Sequence, residues 1–125
     1  MFKLLKIDNI MYKVKDLDKS AELYKQALGL KQIWRDDNSK MVGFKLEKND
    51  SEIVIHSNPN IPDFDFSYSV GNVNEFVENA TRNGFRLILE PIDVRTGNYA
   101  VLEDDNHNKI PIIDLTKFGG VPRFD

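Results

Sequence analysis

The stretch IDNIMYKVKDLDKSAELYKQALGL, residues 7–30, decides the fold, because FDFSYSVGNVNEFVENATRNGF at residues 64–85 repeats its plan. In the first stretch Ile10, Tyr12 and Val14 alternate with Asn9, Met11 and Lys13, the two-residue period of a strand with one apolar face. A helix start follows. Leu17 precedes Asp18, whose carboxylate is expected to cap the first turn. Ala21, Tyr24 and Leu28 then recur at helical spacing until Gly29 supplies a left-handed end. In the second stretch Phe66, Tyr68 and Val70 alternate, Val73 and Asn74 take the places of Leu17 and Asp18, Val77 and Ala80 line the buried stripe, and Gly84 ends the helix. Val14 answers to Val70 and Gly29 to Gly84, an offset of 55 to 56 residues.

Outward from these two stretches the same order of elements continues. Residues 31–35 read as a short strand, Asp36, Asp37, Asn38 and Ser39 as a turn, residues 41–47 as a strand, and residues 52–56 as another. Val42, Phe44 and Leu46 share one face, with Met41, Gly43 and Lys45 on the other. Glu52, Val54 and His56 likewise lie opposite Ile53 and Ile55. Residues 57–63 hold two prolines and two asparagines and read as a stiff connector. After the second helix come strands over residues 86–90, 98–102 and 109–115, with an edge and turn at residues 91–97 and a polar turn at residues 103–108. Each half is therefore β-α-β-β-β, with half-repeats at about residues 7–56 and 64–115 of one 125-residue domain. The tail TKFGGVPRFD lacks periodicity and is expected as irregular structure, with Phe118 and Phe124 available to cover an edge or a partner.

Composition narrows the function. With 20 acidic and 17 basic residues and a net charge of −3, the lysines scattered, the chain has no footprint for a nucleic-acid backbone. The absence of cysteine removes thiol nucleophiles and thiolate metal sites. Charges at Lys3, Lys6 and Asp8 interrupt any signal-like hydrophobic run in MFKLLK, and no apolar run is long enough for a membrane span, so a cytoplasmic protein is expected. Nucleotide-loop, serine-elbow and paired-histidine motifs are missing.

Three phrases carry a resemblance: Val14-Lys15-Asp16-Leu17-Asp18-Lys19-Ser20 from strand to helix, Tyr24 with Leu28-Gly29-Leu30 at the helix exit, and Asp104-Asp105-Asn106-His107-Asn108 before the last strand. Together, on a two-unit chain, they make the sequence similar to the vicinal oxygen chelate superfamily of glyoxalases, bleomycin-resistance proteins and extradiol dioxygenases. The resemblance covers about residues 7–115. It implies an α+β fold in which two β-α-β-β-β units form a curved mixed sheet around a central hollow, with helices outside. It also implies a divalent metal held by the first and last strands of each unit. Those positions fall here on Asn9, on Val54 or His56, on Asp65 and on Pro111. Proline and valine offer no donor and Asn9 only a neutral oxygen, so the resemblance carries no complete metal site.

If Ile10, Tyr12 and Val14 pack on helices, then Asn9, Met11 and Lys13 face the other way, as do Asp65, Ser67 and Ser69 in the second unit. A cavity with a few convergent polar groups is the default binding site. The expected function is binding of a small molecule, as in the antibiotic-sequestering members, with no metal cofactor. Asn9, Met11, His56, Asp65 and Ser67 make contacts, and Trp34, Phe44 and Tyr99 form walls. One alternative is a metal-dependent lyase, isomerase or dioxygenase using a divalent ion on Glu52, His56 and Asp65. Another is a structural or regulatory homodimer joined through edge strands or the aromatic tail. A homodimer is expected in any case, because the relatives often dimerise to complete their sites. Arg35 and Arg95 offer guanidinium groups for an anion, and His107 occupies a solvated turn.

Overall fold

The computed structural model describes residues 2–120, and these contain eight strands, two α-helices and one 3-10 turn. The order is β1 (Lys6–Lys13), α1 (Leu17–Leu28), β2 (Lys31–Asp36), β3 (Met41–Lys45), β4 (Glu52–His56), β5 (Phe64–Ser69), α2 (Val73–Arg82), β6 (Arg86–Asp93), β7 (Asn98–Glu103) and β8 (Lys109–Ile113), then the turn Thr116–Phe118. This is β-α-β-β-β twice, an α+β fold. By contacts, residues 8–66 make one compact unit, and residues 67–120 with residues 2–7 make the other.

In the unit of residues 8–66 the strands lie in the order β2-β3-β4-β1. β2, β3 and β4 pair antiparallel, while β1 pairs parallel with β4, Asn9 opposite Glu52 and Lys13 opposite His56, so the sheet is mixed. Ala21, Val42, Phe44 and Ile55 form the core, with Val14, Leu17, Tyr24 and Leu30 packed around it. The Tyr24 ring stacks on Phe44 with centroids 5.9 Å apart. Burial of each such large apolar side chain is worth about 1.5–3 kcal/mol. The strand alternation read from the sequence therefore holds, but it places Phe44 in the core beneath α1. The expectation that Phe44 walls a binding site is corrected: it shares the helix-facing side of β3 with Val42.

The second unit repeats the arrangement as β5-β8-β7-β6, with β5 and β8 parallel and the others antiparallel. Its core is Val70, Val73, Val77, Ala80, Ala100, Leu102 and Ile112. Among the described residues the β5–β8 ladder pairs Tyr68 with Ile112 and Ser69 with Ile113, just past Pro111, which has no N–H to give. β6 runs on to Asp93, beyond the expected end at Glu90. Pro91 is accommodated because the β6–β7 register skips from Leu89 to Ile92.

Both helices are capped two residues earlier than expected, at Asp16 and Asn72 rather than Asp18 and Asn74. Asp16, in extended conformation, accepts from the Lys19 N–H at 3.0 Å, and Asn72 accepts from Glu75 at 3.0 Å. Asp18 instead lies in the first turn of α1 and pairs with Arg35 at 2.7 Å. Gly29 takes the left-handed conformation, φ 65°, at the end of α1. The start of the tail forms the 3-10 turn, with the Arg95 guanidinium 5.4 Å from the centre of the Phe118 ring. Phe124 lies outside the described residues.

A buried carboxylate organises the second unit. Asp114 is fully buried, and its oxygens accept from the N–H groups of Val73 at 2.8 Å and Asn98 at 2.9 Å and from the Thr116 hydroxyl at 2.8 Å. It ties the first residue of α2 and the first residue of β7 to the end of β8. Gly97 is required beside it, since a Cβ there would lie 1.9 Å from Asp114 Oδ1.

Candidate functional site

In the unit of residues 8–66, the sheet face turned away from α1 is laid out by the strand register. Residues paired across neighbouring strands project to the same side. Three rows result. Asn9, Glu52 and Lys45 make one; Met11, Val54, Gly43 and Trp34 the next; Lys13, His56 and Met41 the third. The middle row is apolar and the flanking rows are polar.

Trp34 is the most constrained member. The β2–β3 register shifts between Gln32 and Trp34, a bulge that re-aims the following side chain. The indole then lies across Gly43, where a Cβ would sit 2.2 Å from the Trp34 ring atoms Cε2 and Nε1. Its Nε1–H donates to Glu52 Oε1 on β4 at 2.6 Å. The ring thus spans from β2 over β3 to β4, fixed at its far edge by a charge-assisted hydrogen bond. Gly43 was readable as a glycine inside a strand, a mark of close approach, but its occupant was not.

The other nominated residues of this unit are placed as follows. Asn9 is buried, and its Nδ2 donates to Asp8 Oδ2 at 2.9 Å. Met11 is half-buried. Asp65 is half-buried, with Oδ1 accepting from the Phe66 N–H at 2.9 Å. His56 is fully buried. Its Nδ1 accepts from the Asn58 N–H at 3.2 Å, which leaves Nε2 as the protonated nitrogen, 3.1 Å from the Pro62 carbonyl oxygen. Both ring nitrogens are spent on the connector.

Glu52, His56 and Asp65 do not come together as a ligand set: among the described residues no three His, Asp or Glu side chains are grouped to hold a metal. The donor set does not fit a divalent ion. Glu52 is engaged by the indole, His56 by the connector, and Val54 and Pro111 carry no donor. Arg35 is likewise committed, to Asp18 and Asp37.

Ser67 and Tyr99 belong to the second unit. Ser67 is buried and Tyr99 half-buried. The face turned away from α2 carries Tyr99 opposite Ile113 and Ile92, and Val101 opposite Pro111 and Leu89. It is more apolar than Asp65, Ser67 and Ser69 suggested. At one end of β6 and β7, Arg86 donates to Glu103 at 2.5 Å and to the Asp104 carbonyl oxygen at 2.9 Å. Exposed His107, at φ 68°, has Nδ1 3.2 Å from the same guanidinium. The Arg86 hydrogen bond, with help from His107, holds the Glu103 carboxyl below its ordinary range, and the Asn108 side chain does the same for Asp104. A separate cleft of about 330 Å³ opens at the start of α2 between Phe2, Leu5, Glu75 and Phe76, and contains none of the nominated residues.

Two β-α-β-β-β copies, each a mixed four-stranded sheet with one helix on one face, define a class of duplicated α+β proteins. The particular family follows from residues 6–112, which match the Glyoxalase/Bleomycin resistance protein/Dioxygenase superfamily, and the chain belongs to it. No curated protein matches the chain in sequence. Among solved structures it is similar to a methylmalonyl-CoA epimerase from Mycobacterium tuberculosis, at 15% identity over 87% of each chain with a TM-score of 0.69. It is also similar to a protein from Legionella pneumophila described as an NAD-dependent benzaldehyde dehydrogenase, at 21% identity over 83% of this chain and 95% of that one, TM-score 0.62. A hypothetical protein from Bacillus halodurans C-125 matches at 19% identity over 86% and 91%, TM-score 0.62. At these identities the likeness is one of fold.

Proposed function

We propose that this protein binds a small, flat organic molecule through the face that carries Trp34, and acts by holding it rather than by converting it, without a metal ion. The observation that carries this reading is the indole pinned over Gly43 by Glu52. A fixed, half-buried aromatic ring offers stacking area with little rotamer entropy left to lose on binding. Met11 extends the apolar row on which such a ligand lies, while Asn9 and Lys45 supply polar groups beside it. His56 contributes by holding the connector in place.

Binding without a metal is supported by the chemistry of the donors, since Val54 and Pro111 carry no donor atom, Asn9 offers only a neutral amide oxygen, and both ring nitrogens of His56 are engaged by the connector. The epimerase neighbours suggest the competing reading, a metal-dependent isomerase or lyase.

Trp34 is the single tryptophan, so its emission reports on the site directly. A panel of planar aromatic compounds is titrated against the purified protein while emission and melting temperature are followed, in parallel with elemental analysis and melts in chelator. Binding predicts quenching of Trp34 with a ligand-dependent rise in melting temperature, and indifference to chelator. Near-stoichiometric metal with a chelator-sensitive melt overturns the reading and favours the metal enzyme.

A further inference from the structure

The cleft at the start of α2 belongs wholly to the second unit and shares no residue with the face that carries Trp34. Its two sides come from segments far apart in sequence. The Leu5 N–H donates to the Ser69 carbonyl oxygen at 2.9 Å, which ties the N-terminal segment to the end of β5. Gly71 and the first turn of α2 follow at once, so Phe2, Lys3 and Leu5 line the cleft together with Asn72, Glu75 and Phe76. Phe76 is half-buried and packs on the core, which makes it a firm wall, while Phe2 and Leu5 are 48% and 57% exposed. A volume of about 330 Å³ lies at the lower end of the range for small-molecule pockets. The helix end itself has little left to offer a ligand: Asn72 Oδ1 already accepts from the Glu75 N–H, and the Val73 N–H is bound to Asp114. The charges are the informative feature. Lys3 and Glu75 both line the cleft, and among the described residues neither side chain has an ion-pair or hydrogen-bond partner.

We propose that this cleft binds a free α-amino acid with an apolar side chain. Such a molecule carries an ammonium and a carboxylate on one carbon, and the cleft presents the complementary pair, the carboxylate of Glu75 and the ammonium of Lys3. The charges select against simpler ligands. An anion would satisfy Lys3 and set like charge beside Glu75, a cation would do the reverse, and a neutral apolar molecule would cover both charges without a partner for either. Only a zwitterion answers both. Phe2, Leu5 and Phe76 then receive the ligand's side chain, and the exposed area of Phe2 and Leu5 is withdrawn from water as it binds. This site is independent of the stacking face in the other unit, and either can fail without the other.

The test follows the amide resonances of the intact, isotopically labelled chain during titration with leucine, which has no ring to stack on Trp34. Leucine is expected to shift the amides of residues 2–5 and 71–76 until they saturate. N-Acetylleucine lacks the ammonium and leucinamide lacks the carboxylate, and each is expected to bind about fivefold more weakly, while glycine, without a side chain, does not bind. Two substitutions assign the contacts. Lys3→Gln is expected to weaken leucine about fivefold and leave leucinamide unchanged, and Glu75→Gln to weaken leucine by a similar factor and leave N-acetylleucine unchanged. Both residues are exposed, so the rest of each variant's spectrum is expected to match that of the wild type. The proposal is overturned if leucine gives no saturable shift at these amides, if the two blocked derivatives bind as well as leucine does, or if both variants bind leucine with wild-type affinity.

Discussion

Gly43 and Trp34 act as one device. Gly43→Ala would drive a methyl group into the indole, because the Cβ position already lies 2.2 Å from ring atoms. Overpacking of this kind costs about 1–3 kcal/mol. The expected outcome is a Trp34 emission shifted to longer wavelength, lost quenching by aromatic ligands, and a lower melting temperature. Asp114 is the second such residue. Asp114→Ala strands the buried N–H groups of Val73 and Asn98, and chemical denaturation should show a loss of about 3 kcal/mol. Asp114→Asn retains the shape but turns one acceptor into a donor facing N–H groups, and recovers only part of that loss. Glu103 and Asp104 give the acid response its sign. Both carboxyls are held below their ordinary range, so their stabilising contribution is complete above that range and fades as pH falls through the lowered values. Melts recorded from neutral to acid pH should fall less steeply for Glu103→Gln than for the wild type.

At the scale of elements, the connector of residues 57–63 is held by a buried histidine. His56 uses one ring nitrogen to receive the Asn58 N–H and the other to reach the Pro62 carbonyl, and Asn58 Nδ2 donates to the Ser39 carbonyl oxygen at 3.2 Å. His56→Ala therefore frees both ends of the connector. Limited proteolysis should cut within residues 57–63 in this variant while the wild type resists, and stability should fall by about 2–4 kcal/mol from the cavity and the lost hydrogen bonds. The strand periods of these elements were legible in the sequence because alternation is a local signal. The helix caps were read two residues late in both copies. Asp16 and Asp18 offer the same carboxylate, and the choice rests on the extended backbone at Asp16, with φ −120° and ψ 106°, which composition does not encode. β6 passing Pro91 was equally hidden, since only the partner strand reveals where the register skips.

For the molecule as a whole, the duplication was the most legible feature. Each copy buries the same helix stripe against the same strand faces, and Val14 and Val70 each donate an N–H to the last strand of their copy, to His56 at 2.8 Å and Ile113 at 2.9 Å. The site was legible in part. The sequence points to Trp34 as a wall of the candidate site, whereas the glycine beneath it and its bond to Glu52 depend on a bulge and on pairing between strands distant in sequence. For Phe44, strand alternation fixes which residues share its face without saying which face the helix covers. His56, one of the three residues of the alternative metal set, has both ring nitrogens engaged by the connector, which only its neighbours in space reveal.

The buried carboxylate at Asp114 has a kinetic consequence. In the first copy the start of α1 is capped by Asp16 of its own segment and tied outward by the exposed Asp18–Arg35 pair, so its first turn is expected to open through small local fluctuations. In the second copy the first amide of α2 is bound to Asp114, 41 positions along the chain at the end of β8. That turn opens only when the strand end lets go. Two copies of one plan have come to differ in how they open: under native-state hydrogen exchange the first helix loses its protection from the tip inward, and the second loses it together with its sheet.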